Sequence, residues 1–512
     1  MDADNKRILK NTVYLYARMF LSLAISLITS RLVLQALGVV DYGVYHVVGG
    51  IVALFTILNG TLAVGSSRFI TFALGRGDAV KLKKVFNASF AIHCCMAVVI
   101  FILLETIGLW YINTHLVIPE ARLTAANWVF QFSVFTCVIG MTQVPYGALI
   151  VAHEQMNIYA YVSVAGSVFR LALVSVLYFF EHDDNLIFFA LSLSLWSIAL
   201  QIFYRVYCYR RFPESHLQLC RDKAQYKEMI SFSMWDVLGQ FTGTGNNQGK
   251  ALLINYFFGI VYNASYGLAS RVQGILQQFV GNFMTAVSPQ ITKSFAVKNM
   301  GRVHSLIFNS SKMGCILYSF VAIPVFFEAD YILELWLKDV PDKTVLFVRL
   351  AIIWNMIRSC ARPVVVGVHA SGNIKYLNII CGLGCVVCTL PGIYICYKLG
   401  GPIECAYYVS ICWACVVSYL ELFCLWKEDR SFSVWDYTRN VYFRCMIMCL
   451  IVSAILFLFR NIMAPSFLRL VLVCLISTVS IASLSYAIVI SPSQRVEVRN
   501  KIQSVINQKF HR

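Results

Sequence analysis

Apolar runs of about 20 residues, the length that crosses a bilayer core, recur along the whole of this chain. They fall near 10–34, 42–63, 86–109, 124–150, 157–180, 185–207, 229–256, 262–287, 304–327, 344–369, 375–397, 402–426, 440–460 and 467–490. The expected fold is therefore an all-α polytopic membrane protein with about fourteen transmembrane helices. Composition agrees: 59% of the 512 residues are hydrophobic and only 13% charged, outside the soluble globular range.

The formal net charge of +17 does not point to nucleic acid, because of where it sits. Lys and Arg crowd alternate loops, as in Arg76–Lys84, Arg205–Lys227, Lys293–Arg302, Lys427–Arg439 and Arg495–Arg512, whereas the intervening loops hold only Arg122, Lys338, Lys343, Lys398, Arg460 and Arg469. By the positive-inside rule both termini are expected in the cytoplasm. The opposite loops near Glu181–Asp184 and Glu328–Asp342 are acidic, and Asp183-Asp184 has no evident partner. The first apolar stretch is too long for a cleaved signal peptide. Eighteen cysteines lie mostly inside spans, Cys94, Cys95, Cys381, Cys385, Cys388, Cys445 and Cys449 among them. They read as small apolar filling, with neither a disulfide framework nor a metal cluster expected.

Charges inside the spans are mostly cationic. On a helical wheel Asp236, Gln240, Gly243, Asn247 and Lys250 form one stripe, opposite Met234, Leu238, Phe241, Leu252 and Tyr256. The stripe, with Asn246 beside it, either lines an aqueous cavity or makes hydrogen bonds between packed helices. Arg18 lies deep in the first span on a face shared with Asn11, Ser22 and Thr29. Arg31 near its outer end either joins it or reaches for the interface. Arg170 faces the cavity or pairs with a neighbour. Arg271, Arg358 and Arg362 complete the set. Arg358 and Arg362, one turn apart, repel each other, so either an anion lies near or Arg362 extends toward the cytoplasm.

Beyond a basic linker at 207–227 the pattern repeats. Gly38, Tyr45 and Gly60 match Gly259, Tyr266 and Gly281 at a shift of 221; Phe86-Asn87 and Ser89 match Phe308-Asn309 and Ser311 at 222. Pro145 with Asn157-Ile158 is echoed by Pro363 with Asn373-Ile374. An even number of spans per half makes the halves parallel. The expected division is a six-helix bundle at 1–220, a second at 221–428 around a central cavity, and two peripheral helices with a basic tail at 429–512. Those last helices hold no buried charge except Arg444 near an end.

Several stretches resemble one family. Leu253–Gly259, Asn263-Ala264 and Pro289–Ser294 are similar to the seventh and eighth helices of Wzx-type lipopolysaccharide and O-antigen flippases, relatives of the MATE multidrug exporters. Leu37-Gly38, Tyr42-Gly43 and Tyr45 resemble that family's first loop, and Gln143–Gly147 with Ala152–Glu154 and Asn157–Tyr161 extend the likeness. The resemblance implies alternating access that carries undecaprenyl-diphosphate-linked oligosaccharide from the cytoplasmic to the periplasmic leaflet of a bacterial inner membrane, for O-antigen, lipopolysaccharide or capsule synthesis. It also implies membrane lipids, a glycan polymerase and other assembly proteins as partners. The candidate substrate contacts are Arg18, Arg31, Asp236, Gln240, Asn246, Asn247, Lys250, Arg271, Arg358 and Arg362. No catalytic residue, cofactor or metal is expected, since no nucleotide-binding glycine loop or metal-ligand spacing is present. Two alternatives stay open: a MATE-like multidrug exporter, which for cationic drugs calls for buried acids, and a glycan polymerase or ligase, which calls for a large external loop.

Overall fold

The computed structural model describes residues 3–114, 118–179, 184–218, 220–337, 339–490 and 495. Its long helices are α1 (Ala3–Gly75), α2 (Ala79–Leu103), α4 (Leu123–Ala152), α5 (Met156–Phe179), α6 (Asn185–Arg211), α7 (Lys223–Phe258), α8 (Ile260–Ala296), α9 (Met300–Phe327), α11 (Thr344–Ser371), α12 (Gly384–Lys398), α13 (Cys405–Glu428), α15 (Arg444–Arg460) and α16 (Phe467–Leu484). Short α3 (Leu109–Thr114), α10 (Ala329–Leu337) and α14 (Val434–Tyr437) join them. Among the described residues ten helical stretches are long and apolar enough to cross a membrane, so the chain is a multi-pass membrane protein. The other four expected spans fall on α1, α7 and α8, which are not among those ten, and the full count of fourteen is not established.

The chain forms two compact units, Arg7–Val237 and the chain from Leu238 onward, divided inside α7. In the N-terminal unit α4 packs on α2 and α6 around Ile100, Leu104, Val129, Phe130, Met141 and Phe189. The loop ends are pinned by charge. Arg122 donates to Asp41 at 2.7 and 2.5 Å and to Asp184 at 2.9 and 3.1 Å, tying α1 to the starts of α4 and α6. Asp184 thus has a partner that sequence reading did not supply, and it also caps α6 by accepting from the Leu186 and Ile187 amides. At the other loop end Arg7 donates to the His153 carbonyl and faces Glu154 at 3.3 Å.

In the C-terminal unit α11 packs against α8, α9 and α13, while α15 and α16 pack on α9. Arg469, expected in an external loop, lies instead in the first turn of α16, 3% exposed. Its guanidinium meets the fully buried Glu328 at 2.8 Å. The buried charge of the last two helices is therefore Arg469, while Arg444, the one expected, is only half-buried; Glu328 at the end of α9 makes the burial of Arg469 tolerable. Asp330 likewise joins Arg349 of α11 and Arg460 of α15, at 2.5 and 2.7 Å.

The repeat has a counterpart in backbone conformation. Gly38 breaks α1 at φ 75, ψ 169, and Gly259 separates α7 from α8 at φ 88, ψ −179, a region that essentially only glycine occupies. Gly77 and Lys298 both have positive φ, 70 and 57, and each is followed by a side-chain cap: Asp78 accepts from the Lys81 amide at 2.9 Å and Asn299 from the Arg302 amide at 3.2 Å. All three pairs stand 221 residues apart. Among the described residues four wide, π-helical segments interrupt the regular winding, at Leu104–Gly108, Leu377–Leu383, Thr438–Phe443 and Ser485–Val489.

A methyl group at position 259 meets no atom within 4 Å, so the cost of Gly259→Ala is conformational, about 1–3 kcal/mol. Gly267→Ala, inside α8 and also unobstructed, should be neutral or stabilising by up to about 1 kcal/mol. Thermal melts of the two purified variants should move in opposite directions; equal shifts would refute the strained turn. A second expectation concerns acid. Partial burial pushes the Asp184 carboxyl up, but bonds from Arg122 and from the Ile187 and Leu186 amides outweigh it and hold it below 3.8. Its stabilisation is therefore complete above that value and is lost as pH falls through the lower folded value. The wild type should lose more melting temperature between pH 6 and pH 3 than Asp184→Asn does.

Candidate functional site

One turn pattern builds the site. On α11 Asn355, Arg358, Ser359 and Arg362 stand at i, i+3, i+4 and i+7, hence on one face. With Gln277 and Val280 of α8, Tyr318 of α9 and Trp354 they line a polar cavity of about 160 Å³, far above the roughly 10–15 Å³ that one water needs. An anion expected near the two arginines is present as Glu421 of α13, which pairs with Arg358 alone. Arg358 donates to both its carboxylate oxygens, at 2.6 and 2.9 Å, and to the Ser418 hydroxyl at 3.3 Å. The Glu421 side chain is 4% exposed, and the bidentate geometry is the strong form of this contact.

Arg362 has no acidic partner among the described residues. Its guanidinium lies close along α8, 3.7 Å from the place a Cβ on Gly281 would occupy. Asn355 is buried; its Oδ1 accepts from Gln277 Nε2 at 2.7 Å, whereas its Nδ2 has no hydrogen-bond partner. Such a donor costs about 1–3 kcal/mol when left unmatched. Lys250 of α7 is also buried, and its ammonium sits 5.9 Å from the ring of Trp354. No acid pairs with Lys250 among the described residues. Of these three cations only Arg358 meets an acid, Glu421; Lys250 is buried and Arg362 exposed, each without one among the described residues.

The other candidates divide. Asn246, one turn before Lys250, is buried with Oδ1 unpartnered, while Gln240, Gly243 and Asn247 are exposed. The wheel stripe is split because glycines set the packed face. Gly239 abuts Asn378 and Gly249 abuts Leu390 of α12, where an added Cβ would sit 2.3 and 2.5 Å from those side chains. This close approach draws the row Gly239, Thr242, Asn246 and Gly249 inward, one residue away from the row the wheel selected. Arg170 and Arg271 are exposed. Arg18 and Asp236 belong to the N-terminal unit, where Asp236 is buried and the Arg18 guanidinium lies 4.9 Å from the Tyr159 ring. The side chain of Arg31 lies outside the described residues. Glu421 was missed, although an acid deep in the apolar run 402–426, more than four turns beyond Glu404 at its start, is itself a signal of an intramembrane site; Gln277, Tyr318 and Trp354 gave none.

The family described as "Polysaccharide biosynthesis protein" matches residues 8–295, more than half of the chain. The chain belongs to that family. No curated protein sequence matches it. Solved structures similar to it include a mutant MATE transporter, with TM-score 0.71, 13% identity and coverage of 82% of this chain and 96% of that one. An outward-facing multidrug resistance MATE family transporter of the MOP superfamily gives TM-score 0.70 at 14% identity, covering 84% and 97%. The Vibrio cholerae MATE transporter VcmN, as a mutant, gives 0.66 at 15%, covering 84% and 98%. The family member therefore has a MATE-like fold.

Removing one partner of a buried ion pair costs about 3–5 kcal/mol, whereas replacing both with apolar groups is often neutral. Glu421→Ala should accordingly melt well below the wild type, and Arg358→Met combined with Glu421→Leu should regain most of the loss. A Glu421→Ala protein as stable as wild type would mean that this pair does not hold α11 to α13.

Proposed function

We propose that this family member is a flippase that moves undecaprenyl-diphosphate-linked oligosaccharide from the cytoplasmic to the periplasmic leaflet of a bacterial inner membrane by alternating access, with both termini cytoplasmic. The observation that carries the reading is the cationic lining of the α11 cavity by Arg358 and Arg362, with the Lys250 ammonium 5.9 Å from the ring of Trp354 on its wall and one acid, Glu421, paired to Arg358. A diphosphate in hydrocarbon is prohibitively costly unless its path is polar and charge-matched. Guanidinium groups bind phosphate oxygens in pairs, and Arg362 has its fork uncommitted to any acid. Gln277, Asn355 and Asn246 offer amide groups for sugar hydroxyls. Membership in a polysaccharide biosynthesis family supports a glycan cargo.

In this reading Arg362 and Lys250 receive the diphosphate, Arg358 stays clamped to Glu421 as a positioning group, and the prenyl tail remains in lipid. A membrane potential negative inside assists outward movement of an anion by about 2.3 kcal/mol per charge per 100 mV. The same charge balance weighs against an exporter of cationic drugs, which this cavity would repel.

Complementation of a flippase-deficient strain tests the assignment, scored by lipid-linked oligosaccharide held on the inner leaflet and by finished surface glycan. Loss of one charge-assisted contact is worth about 1.5–3 kcal/mol, or roughly ten- to hundred-fold. Arg362→Ala and Lys250→Ala, expressed at wild-type level, should reduce translocation by that factor, and Arg362→Lys by less. Normal glycan export by both alanine variants would overturn the assignment, and drug efflux without glycan export would favour the exporter.

A further inference from the structure

On the face of α11 opposite the polar cavity, the C-terminal unit gathers five sulfur atoms from three helices. The Sγ atoms of Cys315 on α9, Cys360 on α11 and Cys445 on α15 all lie within 4.8 Å of one another. The three residues are buried, 1%, 4% and 2% exposed. Met356 Sδ lies 3.9 Å from both Cys315 Sγ and Cys449 Sγ. All five side chains edge an apolar cavity of about 590 Å³. Tyr437, buried beside them, donates its hydroxyl to the Cys360 carbonyl at 2.7 Å and accepts from the Ser311 hydroxyl of α9 at 2.6 Å, fixing two of the helices that supply the thiols.

Small apolar filling accounts for cysteines scattered singly; it does not account for the cation set beside these. Lys312, one turn before Cys315 on α9, is 8% exposed and has no acidic partner among the described residues. It lies within electrostatic range of Cys445 and of Arg444. A buried ammonium beside three neutral thiols is uncompensated. Beside three thiolates it is matched.

We propose that Cys315, Cys360 and Cys445 form a binding site for one thiophilic d10 metal ion, Cu(I) or Zn(II), with Cys449 and Met356 as reserve soft donors. A metal–sulfur bond of about 2.3 Å puts the sulfurs of a three-ligand site about 4 Å apart, inside the observed spacing. The donor set is sulfur alone, which selects these ions over Mg(II), Ca(II) or Mn(II). Each ligating thiol releases its proton to solvent. Three thiolates then leave Zn(II) with a charge of −1 and Cu(I) with −2, which Lys312 and Arg444 offset. The ion clamps α9, α11 and α15 to one another. This inference stands on the C-terminal unit and does not depend on the transport reading.

The test uses the full-length protein in detergent, reduced, freed of metal and kept anaerobic. Cu(I) is offered in competition with bicinchoninate and Zn(II) in competition with pyridylazoresorcinol, with bound metal counted by mass spectrometry after desalting and free thiols by maleimide labelling. One retained equivalent of either ion, with three thiols shielded, is the expected result. The Cys315→Ser/Cys360→Ser/Cys445→Ser variant should lose that equivalent, and Cys412→Ser, on an exposed residue, should keep it. Should the triple variant fail to fold, Cys360→Ser alone should weaken binding by at least about tenfold, and Lys312→Met should weaken it as well. Wild type that retains neither ion, or single and triple variants that bind as wild type does, would overturn the site.

Discussion

Ion pairs that join one helix to another recur in both units of the chain. Arg358 of α11 meets Glu421 of α13. Arg469 of α16 meets Glu328 at the end of α9. Asp330 is shared by Arg349 and Arg460, and Arg122 grips Asp41 and Asp184. Each contact costs desolvation and recovers it only with good geometry, so each also specifies which helices become neighbours. Against this background Lys250 and Lys312 stand apart as buried cations with no acidic partner among the described residues, and Arg362, which is exposed, has none either.

The helical layout was legible because length and apolarity are properties of contiguous sequence. The repeat was legible for a related reason. A break such as Gly38 or Gly259 needs glycine whatever surrounds it, so the same residue recurs where the same conformation does. Lys298 in place of Gly77 shows the limit: the positive φ persists, yet lysine carries no trace of it that a reader of sequence would recognise.

The candidate site was legible only in part, and the gaps have physical causes. Arg358 and Arg362 stood out as costly residues in an apolar run, but their surroundings depend on α8, α9 and α13, distant in sequence. The wheel drawn on α7 chose a stripe by polarity, whereas packing is decided by where α12 can approach, which Gly239 and Gly249 dictate. Asn246 and Lys250 therefore face inward while Gln240 and Asn247 do not. The three cysteines at 315, 360 and 445 are equally invisible along the chain, since no spacing rule links ligands held on three separate helices.

The wide turns carry a consequence for how such a chain tolerates change in length. Each holds one residue more than regular winding requires, and one residue advances every side chain beyond it by about 100°. The segment Thr438–Phe443 directly precedes Cys445, so the surplus residue there sets the angular phase of everything that follows on α15. Trimming a single position from that segment would preserve the helix and every residue type on it, yet turn the sulfur-bearing face away from α9 and α11. For this part of the molecule, phase rather than identity is the inherited quantity, and a deletion there acts as a rotation.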